Sequence, residues 1–368
     1  MSLFVGRNGQ GKTNLLEAIY LLSHAKSFRG TKPRGLVRWQ EALPPSAGEP
    51  SSCTVVGRVL STRGASTVGF QVRTGKATVW VNEKRVERAS GFYGQVITVT
   101  FTPDDLELVK GLPVLRRQFV DRILVMADPS FVEAIVSYER ALKSRNETIR
   151  QAKRSGLNSS AVESELSAWD EILIEHGLVI ARKRAYFVQQ MQSAFSDTYR
   201  KLSRTSGEGS GARLSYESKF IFQGEFQGRE RLRELFQVSR LRDFAHLSTT
   251  FGVHRDDLQI LLGGPFGEKL AKVSASQGES RSIVLALKLA AVRFLAKETG
   301  EAPILLLDDV ESELDPVRKR ALYHELAELE SQVVITATNV STELKQELPE
   351  LEIFSIIDGV LLAQSEGG

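Results

Sequence analysis

The distribution of apolar residues along the chain first predicts strands. Short apolar runs rich in β-branched residues, bounded by glycine or polar residues, favour the extended conformation. They lie at residues 3–5, 54–60, 67–73, 77–81, 96–101, 304–309 and 333–338. The three runs between residues 54 and 81 are separated by glycine, which suggests an antiparallel meander. The last two runs are almost wholly apolar, as expected of buried strands.

From about residue 106 to residue 202 the apolar residues recur at helical spacing. A break at residues 156–160 divides this region and predicts an antiparallel helical hairpin, too short to be an extended coiled coil. Its polar face carries six basic residues that form a candidate DNA surface: Arg140, Lys143, Arg145, Arg150, Lys153 and Arg154. The alternative is an ordinary solvated helix face, which explains any single one of these residues better.

Residues 6–13 read GRNGQGKT and fit the phosphate-binding pattern G-x-x-x-x-G-K-[ST]. An apolar run precedes them and helical spacing follows, which supplies the required strand-loop-helix context. Glycines let successive backbone N–H groups point at phosphate oxygens, and the helix N-terminus adds partial positive charge. Lys12 is expected to reach the terminal phosphates and Thr13 to offer its hydroxyl to Mg²⁺. The sequence therefore predicts a nucleoside triphosphate site, the alternative being a chance glycine turn.

Two further elements in the last third of the chain carry candidate chemistry. Asp308 and Asp309 end a buried strand, where one carboxylate can hold a metal-bound water and its neighbour can orient the attacking water. Ser276 and Gly278 open a strongly apolar helix and offer a second anion-binding site. Taken alone, the serine is explained better as a plain N-cap.

Composition and charge exclude several classes of protein. The 368 residues are 42% hydrophobic and 25% charged, as in ordinary globular proteins of two or three domains. The single cysteine, Cys53, rules out an internal disulfide and fits a cytoplasmic location. No secretory signal is visible, and Lys288 interrupts the longest apolar run, so we expect no membrane association. A net charge of +3 is too small to indicate nucleic acid by itself.

The order of these motifs resembles the ATP-binding-cassette (ABC) ATPases, and within them the head domains of the chromosome-maintenance (SMC) and recombination group. The stretches that carry the resemblance run in order over nearly the whole chain: 12–22, 26–29, 103–106, 121–122, 138 with 145–146, 252–258, 276–279, 308–309 and 312–315. The resemblance implies an α/β P-loop head, with a mixed sheet and an antiparallel meander, plus an inserted helical domain. Its expected bounds are 1–105 and 241–368 for the two parts of the ATPase lobe and 106–240 for the helical lobe.

The resemblance also implies roles for individual residues, with ATP and Mg²⁺ as cofactors. Lys12, Asp308 and Asp309 are expected to be catalytic, and Thr13 and Asp308 to hold the metal. The expected ATP-binding residues are Gly6, Arg7, Asn8, Gly9, Gln10, Gly11, Lys12, Thr13, Asn14, Ser276, Gln277, Gly278, Glu279 and Asp315. In this family the serine-glycine signature of one subunit closes over ATP held by the other subunit, so the implied site belongs to a homodimer.

The activity implied by the resemblance is that of a weak, DNA-stimulated ATPase in recombinational repair and replication-fork maintenance. Such a protein dimerises with ATP, binds gapped or junction DNA and, with RecO and RecR, helps to load the RecA recombinase. An ATP-binding clamp with negligible turnover is the first alternative. A transporter ATPase subunit is the second, but the long span between the phosphate loop and the signature disfavours it.

The chain departs from the general family pattern in several places. The switch histidine is absent after residue 338, where Thr338 is expected to take its place, and no glutamine follows the strand that ends at Phe101. The motif of His254, Arg255 and Asp256 fits either a functional or a structural role. Because only five residues precede Gly6, we expect two opening strands to be missing, the strands at 54–81 to lack partners and ATP binding to be weak.

Overall fold

A computed structural model describes residues 1–37, 52–203, 211–264 and 267–363. Its contacts divide the chain into two compact units. The first unit comprises Met1–Leu106, Ala194–Ser206 and Ser276–Gly368, and the second comprises Glu107–Ser193 and Gly207–Ala275. This division does not test the predicted domain bounds, which stay a prediction.

The described residues form strands and helices that we number in chain order. Strands β1 to β15 are Ser2–Val5, Ser52–Ser61, Gly64–Arg73, Lys76–Val81, Lys84–Arg85, Thr98–Phe101, Gly211–Glu217, Ile221–Phe222, Glu225–Phe226, Asp257–Gly263, Lys269–Leu270, Ile304–Asp308, Val333–Ala337, Glu352–Ile357 and Val360–Ala363. Helices α1 to α10 are Lys12–His24, Glu107–Lys110, Pro113–Ala127, Phe131–Arg154, Glu163–Ser203, Arg229–His246, Ala271–Ser274, Gln277–Thr299, Pro316–Ala327 and Thr342–Glu347. None of the helices described is long and apolar enough to cross a membrane.

The first unit contains a six-stranded sheet in the order β15-β14-β1-β13-β12-β6. Its neighbours pair in parallel except at the β14–β15 edge. Strands β12 and β13 lie in its interior, which explains their unbroken apolar runs. In the register, Val5 lies opposite Ala337 and Asp308 opposite Thr336, so β1, β12 and β13 end at one edge of the sheet. That edge is where ligands bind to open α/β sheets.

Strands β2 to β5 form a separate antiparallel sheet, so the predicted meander is confirmed. The expectation that the strands at 54–81 lack partners was wrong, because residues 52–61, 64–73, 76–81 and 84–85 pair successively with one another. Helix α1 packs on both sheets: Leu16 contacts the core around Leu306, whereas Leu21 contacts the core around Phe70. This double packing fixes the helix that follows the phosphate loop.

The predicted helical hairpin is present in the second unit. Helix α4 ends at Arg154, and Gly156 adopts φ 71° just beyond it, a conformation that suits glycine. Arg145 of α4 then bonds to Asp170 of α5, and Thr148 bonds to Glu165. Because residue numbers rise along α4 as they fall along α5, these bonds show that the two helices are antiparallel.

The predicted DNA surface on α4 was wrong for one residue. Arg145 is fully buried, with its guanidinium 2.7 Å from carboxylate oxygens of both Asp170 and Asp243. Arg150 is half-exposed and lies 3.6 Å from Glu147. The remaining four basic residues are exposed: Arg140, Lys143, Lys153 and Arg154.

Candidate nucleotide site

The loop between β1 and α1 owes its shape to its glycines. A Cβ atom on Gly6 would lie 2.5 Å from the Ile356 carbonyl oxygen, so only glycine fits there. Gly9 and Gly11 have φ angles of 83° and 96°, which side chains rarely tolerate. The backbone amide of Asp358 also donates to the Gln10 side chain, which ties the loop to the β14–β15 turn.

Lys12 is buried and folds back over this loop. Its ammonium group donates to the carbonyl oxygens of Gly6, at 2.5 Å, and Arg7, at 3.0 Å. The cation is therefore held inside the curve of the loop, where the N-terminus of α1 adds partial positive charge. Both features favour an anion at this place.

Asp308 connects three elements beneath the loop. Its Oδ1 accepts hydrogen bonds from the Thr13 hydroxyl, at 2.9 Å, and from the Thr336 hydroxyl, at 2.8 Å. The phosphate-loop helix, β12 and β13 thus meet at one carboxylate oxygen. The sequence predicted that Thr13 and Asp308 belong to one site, but it did not identify Thr336 as a partner of Asp308.

Asp309 begins a turn directly after β12. Its backbone is left-handed, with φ 49° and ψ 34°, and its amide donates to the backbone and hydroxyl oxygens of Thr336, both at 3.2 Å. Such backbone conformations are costly for residues other than glycine and are concentrated at functional sites. Thr336 therefore holds both strand-end aspartates, while Thr338 is exposed and hydrogen-bonds no site residue within the described part of the chain.

A cavity of about 350 Å³ lies against the loop. The residues that line it are Asn8, Gly9, Gln10, Gly11, Lys12, Thr13, Asn14, Arg29, Pro103, Asp308 and Asp309. This volume lies within the range of ligand pockets. Seven of the nine residues predicted in the loop line the cavity, whereas Gly6 and Arg7 contact Lys12 through their carbonyl groups.

Arg29 and Pro103 line the cavity but were absent from the predicted site. The Arg29 guanidinium donates to the Asn14 side chain at 3.1 Å and lies 3.9 Å from Glu17. Arg29 belongs to the KSFR stretch, at residues 26–29, which had already marked the resemblance. A basic residue just beyond α1 was therefore the feature of the sequence that could have predicted a second cation at the site.

The signature at residues 276–279 caps helix α8. The Ser276 hydroxyl accepts from the Glu279 amide at 3.2 Å, and the Glu279 carboxylate accepts from the Ser276 amide at 2.8 Å, a complete capping box. Ser276 and Gln277 are nevertheless exposed. The described lining of the loop cavity includes neither residues 276–279 nor Asp315. The structure therefore does not bring the two predicted anion sites together within one chain.

Asp315 and Arg318 lie beside the signature. The Asp315 carboxylate caps α9 by accepting from the amides of Val317 and Arg318, and it pairs with the Arg318 guanidinium. Burial acts to raise the pKa of Asp315, but the hydrogen bonds from Arg318 lower it overall. A Cβ on Gly278 would lie 3.0 Å from the Arg318 guanidinium, so glycine at this position allows the cation to approach α8.

The motif at residues 252–258 belongs to the second unit, where His254 has a structural environment. Its Nε2 lies 3.0 Å from the Thr249 carbonyl oxygen, so Nε2 carries the proton and Nδ1 accepts from Tyr138 at 2.8 Å. Burial lowers the pKa of His254 to about 4 and keeps it neutral. Burial likewise raises the pKa of Asp256 to about 6, against the hydrogen bond from Tyr216. These contacts favour the structural alternative for this motif.

Comparison with known proteins agrees with this geometry. Residues 1–351 match the family described as the RecF/RecN/SMC N terminal domain. The DNA replication and repair protein RecF of Trichlorobacter lovleyi is 33% identical over 367 residues, covering 100% of this chain and 93% of that protein. RecF of Heliobacterium modesticaldum is 35% identical over 370 residues, with 100% and 94% covered.

Solved structures show the same similarity. A structure of the recombination mediator protein RecF with ATP, in the RecFOR pathway, aligns with a TM-score of 0.83 at 32% identity, covering 99% of this chain and 91% of that chain. An Smc head bound to the C-winged helix domain of ScpA aligns at 0.54 and 18% identity, covering 99% and 90%, which supports the fold alone. The predicted α/β ABC-type head is thus confirmed, and this chain belongs to the RecF family within the RecF/RecN/SMC group.

Proposed function

We propose that this chain is an ATP-dependent, DNA-binding recombination mediator that binds ATP in the loop cavity. One observation carries the proposal: the Thr13 and Thr336 hydroxyls meet on Asp308 directly beneath a complete phosphate loop. The relatives named RecF, including one solved with ATP, support the same activity.

Each residue of the loop cavity has a role in this proposal. The loop amides and Lys12 bind the phosphates, and Lys12 exchanges its bonds to loop carbonyls for phosphate oxygens. Thr13 and Asp308 are the residues that would hold Mg²⁺. They fit this ion because it prefers oxygen ligands and uses few protein groups. Bound Mg²⁺ would neutralise phosphate charge. Asp309 orients the attacking water.

Turnover is expected to be slow. An aspartate side chain is one methylene shorter than the glutamate that related ATPases carry, and misplacing a reacting group by about 1 Å costs on the order of a hundredfold in rate. This same feature favours the second candidate, a clamp that binds ATP and barely hydrolyses it. A turnover assay with and without DNA separates the two candidates.

The signature supports a site shared by two protomers. Ser276 and Gln277 are exposed, and residues 276–279 do not line the loop cavity of their own chain. In the proposed dimer, Ser276, Gln277, Gly278, Glu279 and Asp315 face the ATP that the partner holds. The helix N-terminus then binds phosphate while the capping box keeps that terminus in place.

The proposed DNA substrate is a gap or a junction between single- and double-stranded DNA. The exposed basic residues of α4 supply phosphate contacts, which depend on charge rather than sequence. RecO and RecR are the proposed partners and RecA the protein to be loaded, as implied by the family and by the name of the RecFOR pathway.

The test is the mass of the chain in solution, measured by light scattering with ATP, ADP or no nucleotide, each with and without gapped DNA. We expect a dimer with ATP only. Lys12→Ala should abolish ATP binding and dimerisation, whereas Ser276→Arg should abolish dimerisation and spare ATP binding. An ATP-dependent dimer formed by Ser276→Arg would refute the shared site.

A further inference from the structure

Helix α6 of the second unit is rich in charged residues but exposes large apolar residues on its outer face. Its buried side carries Leu232 and Phe236, both fully buried. On its outer side Val238 and Leu241 are 77% and 81% exposed, although the helix is otherwise rich in arginine and glutamate. A charged helix that presents large aliphatic residues to solvent indicates a surface used for contact with another molecule.

The β8–β9 hairpin completes this surface. Phe222 is 65% exposed and ends β8, directly before a two-residue turn in which Gln223 and Gly224 both have positive φ, the geometry of a tight type I′ hairpin. Between the hairpin and α6 lies a cavity of about 410 Å³, lined by Phe222 and Val238 among others. The cavity is large enough to hold one or two apolar side chains.

The floor of the cavity is rigid. Phe251, which lines it, stacks on Phe220 at 5.7 Å and meets Phe236 edge to face at 4.8 Å. Phe220 and Phe236 are fully buried. The cavity therefore exists before any ligand arrives, which lowers the entropy cost of binding.

Charge indicates what the cavity binds. Its lining contains Lys219 and Arg242 and no aspartate or glutamate. Within the part of the chain that the structure describes, neither of these side chains forms an ion pair, whereas Arg231 and Arg233 of the same helix pair with Glu234 and Glu171. An apolar cavity with these two cations complements an apolar side chain that has carboxylates beside it.

We propose that this cavity is a docking site for a short peptide segment of a partner protein, which carries a large apolar anchor residue flanked by aspartate or glutamate. The anchor enters between Phe222 and Val238 and rests on Phe251, and the carboxylates pair with Lys219 and Arg242. DNA fits less well, since two cations beside an apolar wall offer few phosphate contacts.

The test is selection of a phage-displayed library of random twelve-residue peptides on the full chain, with counter-selection on Val238→Asp. Enriched peptides should combine aromatic or large aliphatic residues with acidic ones. Synthetic copies, measured by fluorescence anisotropy, should bind Val238→Asp and Arg242→Glu at least about tenfold more weakly. Val136→Asp, at a residue 43% exposed on α4 and outside this cavity, is the matched control and should leave the affinity unchanged.

Several outcomes would overturn the proposal. These are enrichment of basic peptides, no enrichment at all, or peptides whose affinity is the same for Val238→Asp. Displacement of the peptide by a single-stranded oligonucleotide would assign the surface to nucleic acid instead. Phe222→Ser provides a second test of the cavity should Val238→Asp unfold. The nucleotide site is measured separately by ATP binding, so either proposal can fail alone.

Discussion

Replacing Arg145 by alanine should strongly destabilise the second unit. The guanidinium is fully buried and donates to Asp170 and Asp243, each at 2.7 Å, and to the Thr249 hydroxyl at 2.9 Å. It also lies 5.5 Å from the centre of the Phe236 ring. Truncation removes three charge-assisted hydrogen bonds and leaves a void of side-chain size.

The two carboxylates would be affected unequally. Asp170 keeps a cation, because Arg240 donates to it at 2.9 Å. Asp243 is fully buried and, among the residues that the structure describes, keeps neutral donors alone, chiefly the amide and hydroxyl of Thr250 at 2.8 and 2.6 Å. Breaking a buried ion pair by removing one partner costs about 3–5 kcal/mol, mostly for the charge left behind. We therefore expect Arg145→Ala to lower the free energy of unfolding by about 4 kcal/mol.

Urea unfolding followed by tryptophan fluorescence can measure this loss within the second unit. Trp169 lies on α5 beside the ion pairs, so Trp39 and Trp80 are changed to phenylalanine in every variant. Arg154→Ala, at an exposed residue of the same helix, is the matched control and should change stability by less than about 0.5 kcal/mol.

A second substitution tests the cause. If the orphaned charge dominates the loss, Asp243→Asn in the Arg145→Ala background should recover about 1 kcal/mol or more. A loss below about 1 kcal/mol for Arg145→Ala, together with weaker DNA binding, would refute this reasoning and return the residue to the DNA surface.

Three other predictions test the remaining features. Thr336→Val should lower ATP turnover about tenfold at limiting Mg²⁺ by loss of a hydrogen bond to a charged group, and Thr336→Ser should restore the turnover. A Mg²⁺ titration of ATPase activity checks both variants, and a curve for Thr336→Val equal to that of the wild type would show that Thr336 does not contribute to the site. Because burial lowers the pKa of His254 to about 4, the contribution of His254 to the free energy of unfolding is full above pH 6.5 and decreases by about 1.4 kcal/mol per pH unit as pH falls toward 4, opposite in sign to that of Asp256. The difference between wild type and His254→Gln, measured by urea unfolding, should show this slope, and a difference that does not change with pH would contradict the neutral histidine. Changing Arg140, Lys153 and Arg154 to alanine should weaken DNA binding at every sequence and flatten its salt dependence by about one unit per lost phosphate contact; an unchanged slope would make α4 a solvated face.

The sequence predicted most of the candidate site because that part is encoded locally. A phosphate loop depends on glycines and a lysine at fixed spacing, and the strand that delivers Asp308 depends on an unbroken apolar run. The sequence could not show Thr336 as the partner of Asp308, because that contact depends on the register between β12 and β13. Both Thr336 and Thr338 lie near the end of the same strand, and only the pairing shows which one reaches the carboxylate.

For Arg145 the sequence contained a signal of burial, but the charge of the residue outweighed it. Tyr138, Ala141, Arg145, Ile149 and Ala152 recur at helical spacing, and all five are buried. The period therefore placed Arg145 on the inner face of α4, while its charge suggested the surface. The acids that make its burial possible come from α5 and α6, 25 and 98 residues later in the sequence, and no local pattern announces them.

The position of β1 in its sheet has a consequence for synthesis of the protein on the ribosome. β1 is residues 2–5, but its neighbours are β13 and β14, which begin at Val333 and Glu352. At about 5–20 residues per second, roughly twenty seconds to a minute separate translation of β1 from that of its first neighbour. During that time Leu3, which is fully buried in the finished protein, lacks the strands that pair with β1. A nascent chain released before residue 333 would carry the phosphate loop without β13 and β14, the strands that pair with β1, so we expect it to bind ATP weakly.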